Sequence, residues 1–159
     1  MSMGIYNFHF GKIINFNFIK FMSKYSIPFK ILSTNHIIVD AAVNDVNGKF
    51  LIDTGASNSC IDLYKSDKFK LNYGKSDEQA SSATDEIKET YISKKNSLLI
   101  GEYQINDLDI ILFNMKHVIK SLLDKDEIEI DGIIGADVLI KHNCCLDYKK
   151  NKLVIKSRF

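Results

Sequence analysis

The sequence predicts a mainly β domain with one or two short helices, and three observations carry that expectation. Short runs of branched and aromatic apolar residues recur from Ile27 onward, among them IPFKIL, HIIVDAAVN and LDIILF, which is the composition of strands. Turn-forming residues separate them, as in DVNG at Asp45–Gly48. Helical spacing of apolar positions is confined to MKHVIKSLLDK after Phe113 and to the residues after Gly135.

The 159 residues suffice for one core without metal or disulfide staples. Twenty-one Lys and Arg against twenty Asp and Glu leave a net charge of +1. No basic stripe is interleaved with aromatics, so nucleic acid is not an expected partner. Three cysteines, Cys60, Cys144 and Cys145, are an odd number with two adjacent. That pattern suits a reducing compartment or buried free thiols, and a cytoplasmic location is expected. Neither CxxC nor HxxxH spacing occurs, so no metal site and no cofactor is expected. Pro28 is the single proline and glycines number eight, which leaves no long linker.

Taken in order, residues 1–26 read as an N-terminal extension and residues 27–159 as the domain. The apolar part of the extension is broken by Asn15, Asn17 and Lys20, unlike a secretory signal or a membrane span. It reads as an extra strand or short helix covering the domain. The other reading is an interfacial anchor, because Lys12, Lys20 and Lys24 sit beside aromatics, or a degenerate signal. A membrane is not the expected partner. Next come strands through IPFKIL and HIIVDAAVN, a hairpin turn at DVNG, and a return strand over Lys49–Ile52. His36 opens one of these strands and reads as a surface histidine. Residues Ile61–Leu71 read as a strand entering a short helical turn, and Asn72–Ser97 as a polar segment. Leu98–Ile100 and Leu108–Phe113 read as strands joined by GEYQIND, followed by a helix over about Lys116–Lys125 carrying a solvent-facing His117, then an acidic loop at Asp126–Glu129. Ile133 and Ile134 read as a core strand, Ala136–His142 as a helix, and Cys144–Ile155 as a closing hairpin turning at Lys149–Asn151.

One segment resists a purely structural account. In LIDTGASNSCID, Leu51–Asp62, an apolar strand runs directly into Asp53 and a tight turn. An unpartnered ionised acid in such a place costs several kcal/mol or has its pKa forced upward. An acid kept there is expected to work. Much later, DGIIGADVL, Asp131–Leu139, sends two branched apolar residues into Gly135 before a helix. No Ser or Cys has a base fixed to it by sequence, so a nucleophilic triad is not visible.

Together these two segments resemble the signature motifs of the retropepsin-like aspartic proteases, single-domain relatives of pepsin. The second motif is met by Ile133, Ile134, Gly135, Ala136, Asp137 and Leu139. The resemblance implies a retropepsin-like closed β-barrel or sandwich holding half of a pepsin-type active site per chain. It implies a catalytic Asp53 supported by Thr54, Gly55 and Ala56, with Thr54 bonding across a dimer axis. Gly55, able to take either sign of φ, would let a backbone N–H approach the carboxylate. It implies substrate contacts from Ser57 and Asn58, from Ile134, and from a flap over about Gln79–Ser93 that holds Ala83 and Thr84 near its tip. No glycine lies between Gly74 and Gly101, which departs from the family's flap, and the charges at Asp85, Glu86, Lys88 and Glu89 equally mark a solvated hairpin. The helix after Phe113 is an insertion relative to minimal retroviral enzymes.

Aspartic proteolysis needs two carboxyls sharing one proton, because like charges about 3 Å apart cannot both ionise cheaply. D-T-G occurs once in this chain, so a homodimer is expected, each copy supplying one Asp53. The expected function is an aspartic endopeptidase acting on a peptide or protein substrate. The alternative is a dimeric retropepsin-like module that binds peptides or serves as a scaffold with weak or no turnover.

Overall fold

The computed structural model describes residues 23–75 and 89–157. Eleven strands are found among them: β1 Ser23–Pro28, β2 Lys30–Ile31, β3 Ile37–Val43, β4 Val46–Ile52, β5 Cys60–Asp62, β6 Tyr73–Lys75, β7 Tyr91–Ile100, β8 Tyr103–Phe113, β9 Gly132–Ile134, β10 Cys144–Asp147 and β11 Lys152–Ser157. Two helices, α1 Lys116–Asp126 and α2 Ala136–Lys141, and a 3-10 turn at Leu63–Lys65 complete the set. The mainly β expectation with two short helices is met.

Six strands close a barrel in the order β3-β4-β9-β5-β8-β7, with β7 returning to β3 through Ala42 beside Leu99 and Val43 beside Leu98. β2 and β6 extend it, and β1-β11-β10 form a separate antiparallel sheet. β1 includes residues 23–26 and Ile27 is buried; the rest of the expected N-terminal extension lies outside the described residues. No helix among the described residues is long and apolar enough to cross a membrane.

Alternation along the strands builds two apolar layers. Ile37, Val39, Phe50, Ile52 and Ile134 point into the main core, whereas Ile38, Leu51 and Ile133 face a second cluster. α1 closes that cluster with Leu122, beside Met115 and Ile130. Strands buried on both faces need continuous apolar runs rather than a strict alternation, which explains HIIV, FLI and GII. Helix α1 thus adds to the second layer of core. Asp126, at its last turn, accepts the Ser33 N–H at 2.7 Å and the Thr34 hydroxyl at 2.9 Å, fastening the loop between β2 and β3.

Several boundaries differ from the sequence reading. The β3–β4 turn falls on Asn44–Asp45, both with positive φ (48° and 65°), as a two-residue hairpin of the primed type requires. Gly48 lies instead within β4, where an added Cβ would stand 2.8 Å from the Phe69 ring and 2.9 Å from the Asp131 carboxylate. The segment GEYQIND is not one long turn: only Gly101 and Glu102 separate β7 from β8, and Gly101 has φ +60°. β7 runs back to Tyr91 through polar residues because a bulge with Lys95 at φ 61° turns Asn96 inward. There its side chain donates to Ser93 O at 2.9 Å and accepts from Asn44 at 3.0 Å. α1 extends through Asp126, one residue into the expected loop.

Candidate active site

β4 and β9 are parallel, with Ile52 beside Ile134, so the segments that follow them leave the same end of the barrel side by side. This pairing brings the two sequence motifs together. The Asp53 N–H donates to the Ile134 carbonyl at 3.1 Å, Ala136 N–H to Ala56 O at 2.8 Å, and Asp137 N–H to Ser57 O at 3.2 Å. Gly135 sits where a Cβ would lie 2.7 Å from the Asn58 carbonyl and 2.8 Å from Ala56 O. Only glycine allows the two turns to touch this closely.

The Asp53 side chain is half-buried at the mouth of this contact and accepts the Gly55 N–H on Oδ1 at 2.8 Å. Gly55 takes no positive φ; what it provides is space, since an added Cβ would stand 3.2 Å from Asp53 Oδ1. Among the described residues no other carboxyl shares a hydrogen bond with Asp53. Thr54, Ser57 and Asn58 are exposed beside it, and Ala56 is half-buried.

Ile134, expected at the substrate, lies directly beneath Asp53. Its side chain is 1% exposed in the main core, and its carbonyl accepts the Asp53 N–H. Ala83, Thr84 and the expected flap tip lie outside the described residues. Within them, β6 and the first half of β7 pair antiparallel, Tyr73 with Ser93 and Lys75 with Tyr91.

Ser59, which no sequence motif marks, is 3% exposed. Its hydroxyl donates to Asp137 Oδ1 at 2.8 Å and accepts from Gly135 N–H at 3.0 Å. A small polar residue after a turn carries no signal of its own; the partner that gives it meaning is remote in sequence.

Burial pushes the Cys60 thiol up to about 12, against a hydrogen bond from Ile133, and Cys144 up to about 11, so neither is a ready nucleophile. His142 is drawn below its usual pKa by burial and by Lys141, and its Nδ1 is held by the Tyr103 hydroxyl at 2.9 Å. His36 and His117 are exposed, as expected. No cluster of metal-ligating side chains occurs among the described residues.

A cleft of about 830 Å³ lies along β4 away from Asp53, lined in part by Asp40, Lys49, Lys65, Lys68 and Asp131. Its charges are spent on one another: Lys49 on Asp40 at 3.0 Å, Lys68 and Lys65 on Asp131 at 2.7 and 3.1 Å. Lys49 and Asp53 are four positions apart along the chain, roughly 13 Å in extended backbone.

Comparison with known proteins agrees with this geometry. A family profile described as aspartyl protease matches residues 39–138, which include the first motif and all of the second but Leu139. The chain is similar in structure to a retropepsin-like aspartic protease from Rickettsia conorii, with a TM-score of 0.56 at 20% identity over 85% of this chain and 91% of that one. It is also similar to the EIAV protease solved in complex with the inhibitor HBY-793, with a TM-score of 0.51 at 16% identity over 69% of this chain and 90% of that one. At such identities the likeness shows a shared retropepsin-like fold. No curated protein matches the chain in sequence.

Proposed function

Because the chain belongs to the aspartyl protease family, we propose that it is an aspartic endopeptidase whose active form is a homodimer pairing two copies of Asp53. The observation that carries this reading is the half-buried Asp53 carboxylate, held by the Gly55 N–H at the mouth of the β4–β9 contact and present once per chain.

One carboxyl can act as a base or an acid, but peptide hydrolysis asks for both at once. Two Asp53 side chains sharing a proton meet that demand. The ionised one takes a proton from water, whose oxygen adds to the peptide carbonyl carbon. The protonated one gives its proton to the carbonyl oxygen, forming a gem-diol. The C–N bond then breaks as a proton passes to the leaving nitrogen, releasing an acid and an amine and restoring the shared proton. Thr54, exposed and without a hydroxyl partner among the described residues, bonds across the axis in this arrangement. Ser57 and Asn58, exposed beside Asp53, meet the substrate backbone. The three free thiols fit a cytoplasmic setting.

The test is cleavage of a peptide library by the full chain and by Asp53→Asn. Cleavage by the wild type alone is expected. Equal cleavage by both removes the catalytic assignment, and binding without cleavage by either returns the domain to a scaffolding role.

A further inference from the structure

Ser59 closes the loop that Asp53 opens. The loop leaves β4 at Ile52 and enters β5 at Cys60, and its first half is tied to the β9–α2 turn by main-chain bonds from Asp53, Ala136 and Asp137. At its exit, Ser59 provides the one side chain among the described residues that binds loop to turn. The direction of each bond follows from the groups involved. A backbone N–H can only donate, so the Gly135 N–H takes an oxygen lone pair of Ser59 and the hydroxyl proton is left to point to Asp137 Oδ1. With one donor and two fixed partners, the hydroxyl has a single satisfied orientation.

The barrel itself does not need this hydroxyl. Ser59 O already accepts the Ile111 N–H at 3.1 Å, and Cys60 is registered against both Ile111 and Ile133. What the hydroxyl adds is a second anchor for the turn that carries Asp53, placed where Gly135 permits backbone contact.

We propose that Ser59 is a positioning residue for the reaction: the Asp137–Ser59–Gly135 clasp holds the Asp53 loop at the angle from which two copies of the carboxyl can share a proton. The proposal rests on the reading of the chain as a paired-carboxyl protease. Proton sharing requires the two oxygens to meet within hydrogen-bond distance, and a misplacement of about 1 Å costs on the order of a hundredfold in rate.

The test uses the full chain with Ser59→Ala, Ser59→Thr, Asp137→Ala and the double Ala variant, measured by peptide cleavage and by backbone hydrogen exchange. Ser59→Ala and Asp137→Ala should each lower kcat by about 10- to 100-fold with KM within about twofold. The double variant should be no worse than the worse single, since the residues act as one unit. Ser59→Thr, which keeps the hydroxyl, should retain kcat within about threefold. Exchange at the amides of Asp53, Gly135 and Ala136 should quicken in the Ala variants, while Ile105 and Ile110 in the barrel stay as in the wild type. Unchanged kcat in Ser59→Ala, a loss confined to KM, or faster exchange spread evenly over the barrel would each overturn the proposal. If the wild type cleaves nothing, the protease reading fails on its own. Exchange then decides the clasp: quickening limited to the loop supports it, and no change overturns it.

Discussion

Replacing Asp131 with alanine should cost about 3 kcal/mol of stability, and the figure follows from three contacts on one carboxylate. Oδ2 accepts the Lys49 N–H at 2.9 Å, while Oδ1 accepts Lys68 at 2.7 Å and pairs with Lys65 at 3.1 Å. The side chain is 8% exposed. Breaking a buried pair by removing one partner costs about 3–5 kcal/mol when the other charge is stranded. Lys65, 17% exposed, is not stranded, because it keeps Glu129 at 2.8 Å and the Ile130 carbonyl at 2.9 Å. Lys68 is 43% exposed, so its share falls toward the ~0–1 kcal/mol of a surface pair. The Lys49 N–H loses its partner at about 1–3 kcal/mol, which keeps the total near the lower end of the buried-pair range. For a chain of this size the loss corresponds to a fall in Tm of roughly 6–12 °C.

The same contacts give the effect a pH signature. Burial alone would raise the Asp131 pKa, but hydrogen bonds from Lys68, the Lys49 N–H and Lys65 outweigh it and hold the carboxyl below the usual range. A depressed folded pKa means that the stabilisation is fully present above the unfolded value, near pH 4, and is lost as pH falls through the lower folded value. Urea unfolding of wild type and Asp131→Ala should therefore show the full gap at pH 7 and a narrowing gap below about pH 4. A gap under about 1 kcal/mol at pH 7, or one that widens on acidification, would refute the reasoning.

Two further outcomes are expected. Ala56, whose N–H bonds the Asp53 carbonyl, has no hydroxyl with which to donate to a neighbouring carboxylate and favour its ionised form, so the wild type should work best at mildly acidic or neutral pH, and Ala56→Ser should move the acidic limb of the pH–rate profile lower; a wild-type optimum below about pH 3 would contradict this. With its pKa pushed up to about 12, the buried Cys60 should resist iodoacetamide at pH 8, while the exposed Cys145 is alkylated and proteolysis continues, as read by mass spectrometry and cleavage on the same sample; loss of activity on labelling Cys145 would count against a site without a thiol.

The motifs were legible because each combines a strong pattern with a residue that breaks it: FLI ends on Asp53 and GII ends on Gly135, and parallel pairing of β4 with β9 then places the breaks side by side. Features set by remote partners were not. DVNG looks like the hairpin turn, yet Asn44 takes that place because its side chain also reaches Phe69 O and Asn96 on other elements. The length of β7 was hidden by its polar residues, since the bulge that turns Asn96 inward is a property of the pairing with β8. The motif alone does not say which way Ile134 points; strand alternation sends it into the main core and Ile133 to the other layer. Ser59 became visible only once folding had set it against Asp137.

Subunit mixing tests the paired-carboxyl claim most directly. Wild-type chains are exchanged with increasing proportions of Asp53→Asn chains at fixed total concentration, and peptide cleavage is followed. If each site draws one Asp53 from each of two copies, activity should fall as the square of the wild-type fraction. A strictly linear fall would mean that one chain suffices, and the account of Asp53 as half of a shared site would be wrong.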